Sequence, residues 1–179
     1  YTRSLLVLLI CACPLAATAQ PYLTLHQSAL VADGHNDILG RVMSGGEMES
    51  RSEKGHSDLP RFREGGVDVQ LFSIWVPPKQ QGEDGWRFAL AEIDSLKAIA
   101  ARNSGALALA TRAGDIERIT AEGRLAGVIA LEGAVCLEGK RERIVELYRR
   151  GLRSLGPTWN YSTEWASSSK DESEGKVKG

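Results

Sequence analysis

Cysteine, histidine and methionine are scarce in this chain. It holds three Cys, three His and two Met among 179 residues. Two of the cysteines, Cys11 and Cys13, stand close to the start, so Cys136 has no partner further along and no internal disulfide staples the body of the chain. Cys136 is therefore either free and buried or paired outside this stretch. Charge of one sign is lacking too. Lys and Arg number 22 against 23 Asp and Glu, for a net charge of -1. That balance excludes the basic footprint of a nucleic-acid binder. No apolar run is long enough to span a bilayer as a helix. No glycine-rich phosphate loop follows the first strand, because Gly34 and Gly40 alone make no fingerprint. What is present is an ordinary globular mixture, 42% hydrophobic and 25% charged, of a size for one domain.

The first segment is predicted to be an export signal. Arg3 precedes the apolar run Leu5-Leu6-Val7-Leu8-Leu9-Ile10, and Ala17-Thr18-Ala19 offers a small-x-small cleavage site. A basic start, a short apolar core and an Ala-x-Ala exit describe a secretory signal peptide. Residues 1–19 are then removed, and residues 20–179 form the exported part. Ile10-Cys11-Ala12-Cys13 distantly resembles a lipoprotein box, which would make a lipid on Cys13 the one route to a membrane. The chain opens on Tyr1 and ends on Gly179 without a structural stop, as a fragment would.

Beyond the signal, short apolar runs alternate with helical periods. Strands are expected at 30–33, 67–76, 106–110, 127–131 and 152–158. Pro77-Pro78 stops the second, and Pro157 sits near the end of the fifth. Helices are expected at 58–65, with a capping Asp58, an early Pro60 and a stopping Gly65, and at 86–102, with Ala89, Ile93, Leu96 and Ala100 on one face. Asp115 caps a short helix carrying Ile116 and Ile119. Residues 140–150 turn Ile144, Leu147 and Tyr148 inward. The polar tail from Ser167 reads as a loop. This β-α alternation predicts a parallel α/β sheet, either an open doubly wound sheet or part of a (β/α)8 barrel.

Chemistry concentrates at the strand ends. In Asp33-Gly34-His35-Asn36-Asp37, residues two apart share a side of an extended chain, so His35 and Asp37 project together as half of a divalent-metal site. Glu132 closes the fourth apolar run, where an unpaired acid would cost desolvation. Trp159 and Asn160 follow the fifth strand and would face the same mouth. In a (β/α)8 barrel the C-terminal strand ends carry the active site.

Asp33-Gly34-His35-Asn36-Asp37 resembles the opening motif of the membrane (renal) dipeptidase family. Asp58-Leu59-Pro60-Arg61, Glu64-Gly65-Gly66-Val67 and Gln70-Leu71-Phe72-Ser73 resemble its second segment. Ala130-Leu131-Glu132-Gly133-Ala134 resembles its glutamate motif, and Thr158-Trp159-Asn160 with Trp165-Ala166 its fifth-strand region. The resemblance covers most of residues 31–179. It implies a (β/α)8 TIM barrel, of which this chain holds about the first five β/α units out of a usual ~250 residues.

It also implies a dipeptidase using two Zn2+ ions, with His35 and Asp37 on the first and Glu132 bridging both. A hydroxide between the metals would attack the peptide carbonyl. Trp159 and Asn160 would meet the substrate. Trp159 stands where several members carry a His thought to touch the substrate carbonyl. In that family the second zinc's two histidines and the acid that meets the substrate amino group come from later strands; His26 and His56 match no ligand motif and read as surface residues. The fragment alone is then expected to be inactive. Two other readings remain open, a non-catalytic exported binding protein on the same barrel and another binuclear-metal barrel hydrolase. Oligomeric state is open as well.

Overall fold

The computed structural model describes residues 21–173. The predicted signal peptide, with Cys11 and Cys13, and the last residues of the chain lie outside them. The elements run α1 (Pro21–Ser28), β1 (Ala32–Asn36), α2 (Ile38–Met43), α3 (Leu59–Glu64), β2 (Val69–Trp75), α4 (Gly82–Arg102), β3 (Leu107–Leu109), α5 (Ala113–Ala121), β4 (Leu125–Glu132), a 3-10 turn (Val135–Leu137), α6 (Arg141–Arg149), β5 (Leu152–Gly156) and α7 (Ser169–Ser173).

Local chemistry accounts for much of this. The Asp58 carboxylate accepts the Arg61 N–H at 2.9 Å and so caps α3, with a Pro in the first turn. Helix α4 carries Glu83 and Asp84 in its first turn and Arg102 in its last, matching the helix dipole. Its predicted inner face is buried, and Ile93 and Leu96 are fully so. Helix α5 begins two residues before Asp115. That carboxylate instead bonds back to the N–H groups of Thr111 and Arg112 at 2.9 and 3.1 Å.

Three further expectations are corrected. In α6, Leu147 is buried but Ile144 and Tyr148 are exposed, and Arg143 takes the inward place. Arg143 can do so because Glu83, Glu138 and the Cys136 carbonyl receive its guanidinium. The tail is not all loop, since α7 forms within it. Helices α1 and α2 form where no helix was expected.

All strand pairs are parallel, in the order β1-β2-β4-β3, with β5 also on β4. A regular barrel would place β3 between β2 and β4. Here Val69–Trp75 pairs directly with Ala126–Glu132. The other edge of β4 is shared: its lower part takes β3 and its upper part takes β5.

Alternation then sorts the side chains into two layers. Phe72, Ile74, Leu125, Ile129 and Leu131 meet Ile38, Leu59, Phe62, Ile93, Leu96 and Leu147 on one face. Val69, Ala126, Leu71, Ala108 and Val128 meet Ile116 and Ile119 of α5 on the other. The connection β3-α5-β4 runs backwards across the sheet. A right-handed crossover therefore lays α5 on the opposite face from α3, α4 and α6. Gly127 sits where a Cβ would come to 3.0 Å from the Phe72 and Leu109 side chains, so a larger residue there would require those side chains to shift.

Candidate metal centre

Three donors converge at the C-terminal ends of β1 and β4. His35, Asp37 and Glu132 each offer a ligand atom, and those atoms lie within 4.8 Å of one another. His35 Nε2 is 3.1 Å from Asp37 Oδ1 and 3.3 Å from Glu132 Oε2. Two ligands at zinc bond lengths, spread tetrahedrally, stand about 3.3 Å apart. One imidazole nitrogen with two carboxylate oxygens is a donor set that Zn2+ accepts. The residues present therefore fit a divalent ion, and the side chains of His35 and Asp37 are open to solvent and to a ligand.

The backbone explains the convergence. Asp33 pairs with Gln70, yet Asn36 pairs with Phe72, so β1 holds one residue more than β2 over this span. Without that bulge His35 would pair with Phe72 and face the helices. With it His35 joins the face of Leu71, Ser73 and Glu132, as bulges beside functional sites commonly re-aim a side chain. Asp37 is not a strand residue but the N-cap of α2. Its carboxylate makes no capping bond, because the Asn36 side chain accepts the Ile38 N–H at 3.1 Å instead. Asn36 also accepts from Ser57 Oγ at 3.2 Å.

Glu132 is held as well. Ser73 Oγ donates to Glu132 Oε2 at 3.1 Å. Gly133 follows at φ 75°, a turn that favours glycine, and a Cβ there would come within 3.1 Å of Trp159 Cβ. Behind the strand ends lies Glu92 of α4, only 1% exposed, accepting the Trp75 N–H at 2.9 Å. Burial pushes its carboxyl up to about 8, against the pull of the Trp75 N–H and with a smaller push from Asp37. Sequence reading assigned no role to Asn36, Ser73 or Glu92. The signals were a polar residue on the inward parity of an apolar strand and an acid at i+3 from Ala89 on a buried helix face.

Of the two predicted substrate contacts, only Trp159 reaches the centre's surroundings. It packs edge-to-face on Trp75 with ring centroids 5.2 Å apart and lines a cavity of about 470 Å³ with Glu132. Asn160 is exposed and does not line that cavity. His26 bonds the Gly65 carbonyl at 2.8 Å, and His56 is exposed in the loop before α3. Cys136 is free and buried. No described helix is long and apolar enough to cross a membrane.

A family model described as membrane dipeptidase (peptidase family M19) matches residues 20–179. Dipeptidase 3 of Rattus norvegicus is 31% identical over 77% of this chain and 29% of its own length. The solved structure of dipeptidase AC, an M19 metallo peptidase, is 28% identical, with a TM-score of 0.72 over 77% of this chain and 45% of that one. A metallo peptidase from Rhodobacter sphaeroides, liganded with a phosphinate mimic of the dipeptide L-Ala-D-Ala, is 26% identical at the same TM-score, 0.72, over 77% of this chain and 48% of that one. The α/β fold with its parallel sheet is thus that of the M19 dipeptidases, of TIM-barrel type. The chain spans about half the length (49%) of the Acinetobacter calcoaceticus relative it matches and about 30% of human Dipeptidase 3.

Proposed function

The chain belongs to the membrane dipeptidase family, and on that premise we propose that the whole protein is an exported, zinc-dependent dipeptidase. Residues 1–19 would be its signal peptide, and residues 20–179 the N-terminal part of its barrel domain. His35, Asp37 and Glu132 would be the ligands that this chain contributes. The observation that carries the proposal is their convergence from β1, the start of α2 and β4 within 4.8 Å.

Each residue has a definite task. His35 supplies a neutral nitrogen donor, and the Asp37 carboxylate beside it completes one pair of ligands. Glu132 has two carboxylate oxygens and can serve two cations at once, while Ser73 restrains its orientation. Zinc, when bound, supplies an activated water and stabilises negative charge on the peptide carbonyl oxygen. No side-chain nucleophile is needed. The likeness to the Rhodobacter sphaeroides structure makes small dipeptides with a D-residue at the C-terminal position the first substrates to try.

With three ligands of five, this chain alone would hold zinc weakly and would not turn over dipeptides. The proposal is tested by assaying the purified full-length protein with L-Ala-D-Ala, before and after chelation and zinc restoration. Zinc-dependent release of alanine is expected. Metal binding without hydrolysis of any dipeptide would favour the non-catalytic binding protein.

A further inference from the structure

The cavity beside the candidate metal centre has an aromatic wall. Trp75 and Trp159 meet edge-to-face at 5.2 Å and 70°, and Tyr161 meets Trp159 at 5.7 Å and 55°. All three line the same space of about 470 Å³, whose metal-facing end is Glu132. That volume lies within the range of small-molecule pockets. Trp75 and Glu132 are direct register partners on β2 and β4, so the aromatic wall begins one strand away from the proposed metal ligand.

The wall's chemistry narrows what fits against it. The other acid lining the cavity, Glu138, is spoken for: its Oε2 lies 2.8 Å from Lys140 Nζ and 2.9 Å from Arg143 Nη1. It leaves no free negative charge to attract a Lys or Arg side chain. One face of Tyr161 already carries Lys170 Nζ at 5.8 Å. Apart from the neutral polar side chains of Gln80, Gln81 and Ser162, the remaining side chains of the lining are the three rings with Val76, Pro78 and Val135, which favour another ring through area burial and edge-to-face contact. Glu138 itself holds a left-handed backbone, φ 48°, so the cavity rim here is built with some backbone strain.

We propose that Trp75, Trp159 and Tyr161 form a side-chain subsite for an aromatic residue, so that the protein prefers dipeptides containing Phe, Tyr or Trp over Ala–Ala. This rests on the dipeptidase reading for its substrate class. A carbonyl placed at Glu132 leaves the adjacent side chain within reach of the wall. The Trp159 ring thus selects the substrate by its flank, and no polarising contact with the carbonyl is required of it.

The experiment compares kcat/KM of the full-length zinc-loaded protein on Phe–Ala, Ala–Phe and Ala–Ala, in wild type, Trp159→Ala and Trp159→Phe. At least one aromatic dipeptide is expected to exceed Ala–Ala tenfold or more in wild type. Trp159→Ala should reduce that ratio at least tenfold, and Trp159→Phe should retain most of it. No aromatic preference, or a ratio unchanged by Trp159→Ala, overturns the subsite. If Trp159→Ala does not fold, Tyr161→Ala at the half-exposed rim decides by the same ratio.

If no dipeptide is hydrolysed, the dipeptidase reading fails and calorimetric binding to the wild-type full-length protein decides the subsite separately. Phe–Ala or Ala–Phe binding at least tenfold tighter than Ala–Ala sustains it. Equal affinities, or no binding, overturn it.

Discussion

His35 Nε2 stands 3.3 Å from Glu132 Oε2, although their strands β1 and β4 are not neighbours, because β2 lies between them. The contact spans the intervening strand at its C-terminal end. It exists because one extra residue in β1 turns His35 onto the face that Glu132 shares with Ser73 and Trp75.

Glu132→Gln keeps the size and the Ser73 contact but removes the charge. In the full-length protein we expect a loss of dipeptide turnover on the order of 10²–10³-fold, as when a group that stabilises transition-state charge is removed. Circular dichroism should be unchanged. Full activity in this variant would reject Glu132 as a metal ligand.

Zinc titration of the 179-residue chain should find one weak site and no tight pair. Two ions bound tightly would show that other side chains complete the centre. Ser73→Ala should weaken the site further, by about 10–100-fold, the usual effect of losing a bond that orients a ligand. An unchanged affinity would mean that Ser73 packs without orienting.

Glu92 should make the metal-free protein less stable as pH rises. Its folded carboxyl is pushed up to about 8 from an ordinary 4.5. Between those values the folded state keeps a proton that the unfolded state has released, so stability is full below 4.5 and falls until about 8. The gap corresponds to roughly 4–5 kcal/mol. Glu92→Gln, which still accepts the Trp75 N–H, should flatten this slope and exceed wild type above the upper value. Denaturant unfolding across pH checks it, and a steeper slope in the variant would refute it.

Cys136 should resist alkylation in the folded protein. It is 1% exposed, and burial pushes its thiol up to about 11, so little thiolate forms at neutral pH. Iodoacetamide followed by peptide mapping should label it only after denaturation. Rapid labelling of the native protein would show that the turn after Glu132 opens.

Phe72→Ala should cost about 3–5 kcal/mol, since the ring is fully buried and meets Phe62 edge-to-face at 6.2 Å. Thermal unfolding measures it. A loss below 1 kcal/mol would mean that α3 and β2 repack around the gap.

The sequence by itself determined what depends on near neighbours along the chain. Asp58 capping α3, the apolar face of α4 and the five strands were legible because caps and periodicities act within a few residues. The pairing of His35 with Asp37 was legible for the same reason, although the proposed cause, a shared strand face, was only half of it. Asp37 stands at the N-cap position of α2, and its carboxylate is left free because Asn36 accepts the Ile38 N–H.

Only the tertiary structure decided what depends on strands distant in sequence. It placed β3 outside the β2–β4 pair and α5 on the opposite face, because strand order and crossover hand are set by which edges meet. It added the bulge that brings His35 to Glu132, and it turned Ile144 and Tyr148 outward once Arg143 found its partners. It also set Trp159, but not Asn160, on the wall beside Glu132, since that contact forms only when the turn after β5 packs against the end of β2.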